Sequence, residues 1–147
     1  MQIGVFTIGM LQMTANKYLF DTCVFIRHLR FNLPAATLWI ERNERDQVHA
    51  SVSALTLFEV LKGANTDQKK RDYKILFSNY SIIPVSKQIA TRAAELYRSI
   101  PPQTRSNSFN IDVVIAATAE YLHCDLVTEN TKDFSLFSLK KIRIISF

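Results

Sequence analysis

Short apolar runs suited to β-strands alternate with helical patterns along residues 17–147, and no other feature constrains the fold as tightly. Lys17–Asp21 (KYLFD) reads as a short buried strand that ends in a carboxylate. Val48–Val52 fits a second strand and Ile82–Val85 a third with its proline near the end, while Leu126–Thr128 and Ile142–Ser146 fit the last two. Helical patterns separate them: Val24–Leu29, Ala35–Arg42 after Pro34, Leu55–Lys62 stopping at Gly63, Asp67–Ser78, Lys87–Arg98 and the nearly all-apolar Asp112–His123. Ile100–Asn110 reads as a polar loop containing Pro101 and Pro102. A helical crossover lays the next strand parallel to its predecessor, so the expected fold is α/β, with a mainly parallel central sheet covered on both faces. In such folds a site lies outside the carboxyl ends of the strands.

With 147 residues and 48% apolar content, the chain suits one domain with a substantial core and excludes intrinsic disorder. Residues 17–147 are taken as that domain. Met1–Met13 is apolar but lacks the basic start and cleavage site of a signal peptide, so residues 1–16 read as an extension, or as an upstream start with Met13 the initiator. No run is long enough to span a membrane, and a cytoplasmic protein is expected. Cys23 and Cys124 build neither a disulfide framework nor a CxxC metal site. Three glycines cannot supply GxxxxGK[ST] or GxGxxG, and neither HExxH nor GxSxG occurs around the three histidines or the serines.

The carboxylates remain. Asp21 ends the first strand, Glu59 lies on the helix after the second, Asp112 opens the buried helix before the fourth, and Glu129 and Asp133 follow that strand. In a parallel sheet all of these lie at or near one edge. Each has a local explanation too: Asp21 as a turn former, Glu59 as the capping-box partner of Thr56, Asp112 as a first-turn acid facing the helix dipole, Asp133 as a solvated loop residue. Together they are harder to explain locally. YLFD, LTLFEVL and DVVIAATA press acids against apolar surroundings, where carboxylates are costly and repel each other unless something pairs with them. A hard divalent cation with oxygen ligands, Mg²⁺ or Mn²⁺, removes both problems.

The segments YLFDTCVF, SVSALTLFEVLKGA and IDVVIAATAEYLHCDLVTENTKDF resemble the three signature regions of PIN-domain nucleases, most closely the VapC-type toxins of prokaryotic toxin–antitoxin pairs. The resemblance runs from Lys17 to Phe147 with order and spacing intact. It implies a three-layer α/β/α sandwich in which Asp21, Glu59, Asp112 and Asp133 gather one or two Mg²⁺ or Mn²⁺ ions for endoribonuclease action on RNA. By the same resemblance Thr22, Ser53 and Thr128 act as hydroxyl donors supporting the acids, and Asn130 shapes the turn that delivers Asp133. It also implies a protein antitoxin as partner, and a homodimer or toxin–antitoxin hetero-oligomer. Cys23 stands where many relatives carry Asn, which implies one polar contact fewer beside Asp21, and Glu129 is expected to face solvent.

Charge fits an RNA partner. The chain carries 18 basic and 13 acidic residues; without the four proposed ligands 9 acidic residues remain, a net +9 for the rest. Arg27, Arg30, Lys62, Arg105 and Lys132 lie near the acid motifs and are the expected RNA contacts, whereas Lys69–Arg71 reads as a solvated helix face. Two other functions compete. One is a catalytically weak PIN-fold module that binds RNA or protein. The other is an aspartyl-phosphate phosphatase, which needs a second Asp where Cys23 stands.

Overall fold

A computed structural model describes residues 17–147, and the expectation for residues 1–16 lies outside the described residues. Five strands form one sheet in the order β3-β2-β1-β4-β5: β1 Lys17–Phe20, β2 His49–Ser53, β3 Ser81–Ile83, β4 Asp125–Val127 and β5 Ile144–Ile145. Every pairing is parallel, with Leu19 opposite Ser51 on one side and Leu126 on the other. Among the described residues, seven α-helices accompany the sheet: α1 Thr22–Phe31, α2 Pro34–Glu44, α3 Ala54–Leu61, α4 Asp67–Phe77, α5 Lys87–Ser99, α6 Phe109–Leu122 and α7 Thr131–Phe134.

Alternation along β1 divides the interior into two cores, because successive side chains point to opposite faces of a strand. Tyr18 and Phe20 enter a core built with α1 to α4, and Leu19 enters one built with α5 to α7. The first is aromatic: Phe20 lies 5.9 Å from both Trp39 and Tyr80, and Phe25 lies 4.8 Å from Phe77 between ring centroids. The second packs Ile89, Leu96, Val113 and Phe134 on Leu19 and Leu126. Each such large side chain contributes roughly 1.5–3 kcal/mol when fully buried, so the sheet is held from both sides. The arrangement is the expected three-layer α/β/α sandwich.

Several boundaries differ from expectation. Helix α6 begins at Phe109 rather than Asp112, because Phe109 is buried and meets Phe137 edge-on at 5.4 Å. That contact pulls the end of the expected loop into the helix and leaves Asp112 inside its first turn. Helix α1 starts two residues early, with Asp21 as its N-cap. β3 stops before Pro84, which has no N–H to give the ladder, and β5 shrinks to two residues. The four-residue α7 and the 3₁₀ turn Ser135–Phe137 are too short to carry a periodic signal. Among the described residues no helix is long and apolar enough to cross a membrane.

Candidate metal and active site

β1 and β4 lie side by side, but the chain leaves them in opposite directions, from β1 towards β2 and from β4 towards β5. Crevices in parallel sheets open at such a reversal, outside the strand ends. Asp21 follows β1 there, and Thr128 follows β4.

Asp21 is only 5% exposed, and its carboxylate is fully engaged. Thr128 Oγ1 donates to Oδ2 at 2.7 Å, the Cys23 thiol donates to the same oxygen at 3.3 Å, and the Thr22 amide donates to Oδ1 at 2.7 Å. Burial raises the Asp21 pKa, the three hydrogen bonds oppose that rise, and the Glu59 charge adds to it. Cys23 therefore does supply a polar contact beside Asp21, contrary to expectation. Burial, and then the Asp21 charge, push the thiol up to about 12, so it stays protonated and donates.

Helix α3 brings Glu59 to the same place. Thr22 Oγ1 donates to Glu59 Oε2 at 2.6 Å and lies 3.3 Å from Thr56 Oγ1, tying α1 to α3. The capping-box explanation of Glu59 fails, because the N-cap of α3 is Ser53, whose Oγ accepts from the Leu55 amide at 3.2 Å. Ser53 itself caps α3 and makes no hydrogen bond to an acid, which corrects its expected role as a direct support. Asn130 is corrected in the other direction. Its side-chain amide donates to Asp133 Oδ2 at 2.9 Å, while its backbone N–H donates to Thr128 Oγ1 at 2.9 Å. It holds the Asp133 carboxylate directly rather than only shaping a turn.

Asp112 completes the cluster from α6, and it is the least satisfied member. Its Oδ2 is buried and has no hydrogen-bond partner among the described residues. Burial first, then the charges of Asp21, Glu59 and Asp133, push its carboxyl up to about 7. Among the described residues none of the four acids is in an ion pair. No three acidic, histidine or cysteine side chains among the described residues already form a cage for an ion. A buried, unpartnered carboxylate oxygen facing three further acids nevertheless has the donor chemistry of a hard divalent cation.

The basic residues divide. Glu129 is exposed, as expected, and it also accepts a hydrogen bond from Arg27 Nε at 2.6 Å. Arg30 lies against Gly63, where an added Cβ would stand 2.8 Å from its Nη2, and the Lys62 ammonium sits 5.7 Å from the Phe58 ring centroid. Arg105 stacks on Tyr97 at 4.7 Å and donates to the Ile100 carbonyl, so it secures its own loop. Lys132 is exposed beside Asp133, and Lys69–Arg71 is an exposed helix face as expected. The Arg27–Glu129 pair, 102 residues apart, is brought together only by the β1–β4 pairing, and the Cys23 thiol donor is a local contact that a cysteine does not advertise in sequence.

The PIN domain profile matches residues 18–138. Ribonuclease VapC19 of Mycobacterium tuberculosis is 32% identical over 123 residues, covering 81% of this chain and 93% of that protein. Ribonuclease VapC10 of the same organism is 30% identical over 124 residues, covering 84% of this chain and 90% of that protein. Among solved structures, a toxin–antitoxin complex from Klebsiella pneumoniae superposes with a TM-score of 0.66 at 28% identity, covering 80% of this chain and 90% of that one.

Proposed function

Since the chain belongs to the PIN domain family, we propose that it is an endoribonuclease and the toxin of a toxin–antitoxin pair. One observation supports the chemistry: four acids from four elements come to the switch point of the sheet with no basic side chain paired to any of them among the described residues, and one of them keeps a buried oxygen free of hydrogen bonds. Asp21, Glu59, Asp112 and Asp133 would hold Mg²⁺ or Mn²⁺. Bound there, such an ion supplies Lewis-acid stabilisation of the phosphodiester and a water acidic enough to attack it near neutral pH.

The chain's own part is orientation. Thr128, Cys23 and the Thr22 amide fix both oxygens of Asp21. Thr22 fixes Glu59, and Asn130 fixes Asp133. Three of the four carboxylates thus have restricted rotamers before any ligand arrives, while Asp112 keeps its free oxygen for one. The net +9 outside the four acids draws in a polyanion that the acids alone would repel.

An antitoxin is the proposed protein partner, in a homodimeric toxin or a toxin–antitoxin hetero-oligomer, and the cytoplasm is the proposed compartment. Leu57, Leu61, Ala64, Tyr73 and Phe77 line an apolar groove of about 610 Å³ between α3 and α4, which fits the apolar face of a partner segment.

The test is cleavage of total cellular RNA with Mg²⁺ or Mn²⁺ and with EDTA, alongside Asp21→Asn and Asp112→Asn. Discrete fragments that disappear with EDTA and in both variants are expected. Activity that survives either substitution would place the site elsewhere, and RNA binding without any cleavage would leave a binding module.

A further inference from the structure

Helix α1 carries a stripe that the acid cluster does not account for. Cys23, Arg27 and Phe31 are spaced four apart, so they lie on one face of the helix. At the near end of the stripe, Cys23 touches Asp21 and its sulfur accepts the Glu129 N–H at 3.3 Å. One turn further on, Glu129 holds Arg27 through Nε alone, and the guanidinium carbon stands 5.3 Å from the centroid of the Phe31 ring. Both Nη groups of Arg27 are without hydrogen-bond partners among the described residues. Phe31 ends the stripe, 62% exposed.

Each part suits an extended nucleic-acid strand. A guanidinium anchored at Nε and backed by a ring presents its two outer N–H groups as a fixed fork, the geometry that meets two phosphate oxygens together. An exposed aromatic one turn beyond offers a face on which an unpaired base stacks. Because Glu129 cancels the Arg27 charge, the pair adds direction rather than long-range attraction, which the remaining basic surface supplies. We propose that the Cys23–Arg27–Phe31 face of α1 is the track for single-stranded RNA leading away from the acids. On it Arg27 grips a backbone phosphate, Phe31 stacks a base, and Glu129 acts as the positioning residue for Arg27. This track rests on the nuclease reading for its direction, but its contacts do not require cleavage.

The test is therefore binding in EDTA, using a short, labelled, unstructured oligoribonucleotide and a duplex of the same sequence. Arg27→Ala is expected to weaken binding of the single strand about tenfold. Phe31→Ala is expected to weaken it by a similar factor while leaving the duplex unaffected, and Phe31→Trp to restore it. The decisive variant is Arg27→Ala combined with Glu129→Gln. It keeps the wild-type net charge but lacks the fork, so its binding should stay as weak as that of Arg27→Ala. Recovery of wild-type binding in that double variant would overturn the proposal, reducing Arg27 to a counter-charge for Glu129. Unchanged RNA binding by both alanine variants would overturn it as well and assign the face to a protein partner. Wild-type cleavage with Mg²⁺ is followed in parallel. Binding without cleavage sinks the nuclease reading and leaves the track standing, whereas cleavage with indifferent variants sinks the track alone.

Discussion

Asp112 bears an electrostatic cost that no hydrogen bond to its buried oxygen offsets among the described residues. Its unfolded carboxyl titrates near 3.8, and burial with three neighbouring acids pushes the folded one up to about 7. The folded state therefore binds more protons than the unfolded state between those values, and metal-free stability falls as pH rises from about 4 through about 7. Asp112→Asn removes that group's contribution. Thermal midpoints in EDTA at pH 5 and pH 8 should thus differ less, or change in the opposite sense, in the variant. Equal pH dependence in the two proteins would mean that Asp112 is not strained by its neighbours. At pH 8 the metal-free variant should be at least as stable as wild type. A large loss there would instead support the local explanation, in which Asp112 serves only the first turn of α6.

At the scale of elements, the site depends on short helices whose starts are fixed by single side chains. Ser53 turns the chain from β2 into α3 and accepts the Leu55 amide, and Glu59 lies less than two turns further along. Ser53→Ala should cost about 1 kcal/mol in urea unfolding, with Ser53→Thr close to wild type. Cleavage should fall further than that loss implies, because the Glu59 carboxylate moves with its helix. The same element explains how much of the site was legible. Glu59 declared itself through its place on an apolar helix after a strand, and Asp21 through its place at a strand end. The capping role of Ser53 did not, because Thr56 and Glu59 imitate a capping box three residues further on. Asn130 and α7 were opaque for another reason. A four-residue helix has no period to detect, and the Asn130 amide finds Asp133 only once that turn has formed. The sheet was the most legible feature, since β-branched runs between helices leave few parallel alternatives, yet β3 is trimmed by Pro84, and packing at Phe109 moves the start of the helix before β4.

For the whole molecule, the two cores and the acid cluster make opposing contributions that a cation would reconcile. An Mg²⁺ or Mn²⁺ ion held by the four acids of the folded state should, at a hundred times its dissociation constant, add roughly 2.7 kcal/mol, raising the melting midpoint by about 5–10 °C. The shift should vanish in Asp112→Asn, and a shift of the same size in that variant would place the ion elsewhere. The order of the strands has a further consequence, for the timing of synthesis. β1 is made first and lies in the middle of the sheet, but its β4 neighbour and the Thr128 hydroxyl on Asp21 come from more than a hundred residues later. No nascent chain that stops short of Asp133 carries all four acids. During synthesis the acid cluster therefore stays incomplete until Asp133 has been added, more than a hundred residues after Asp21.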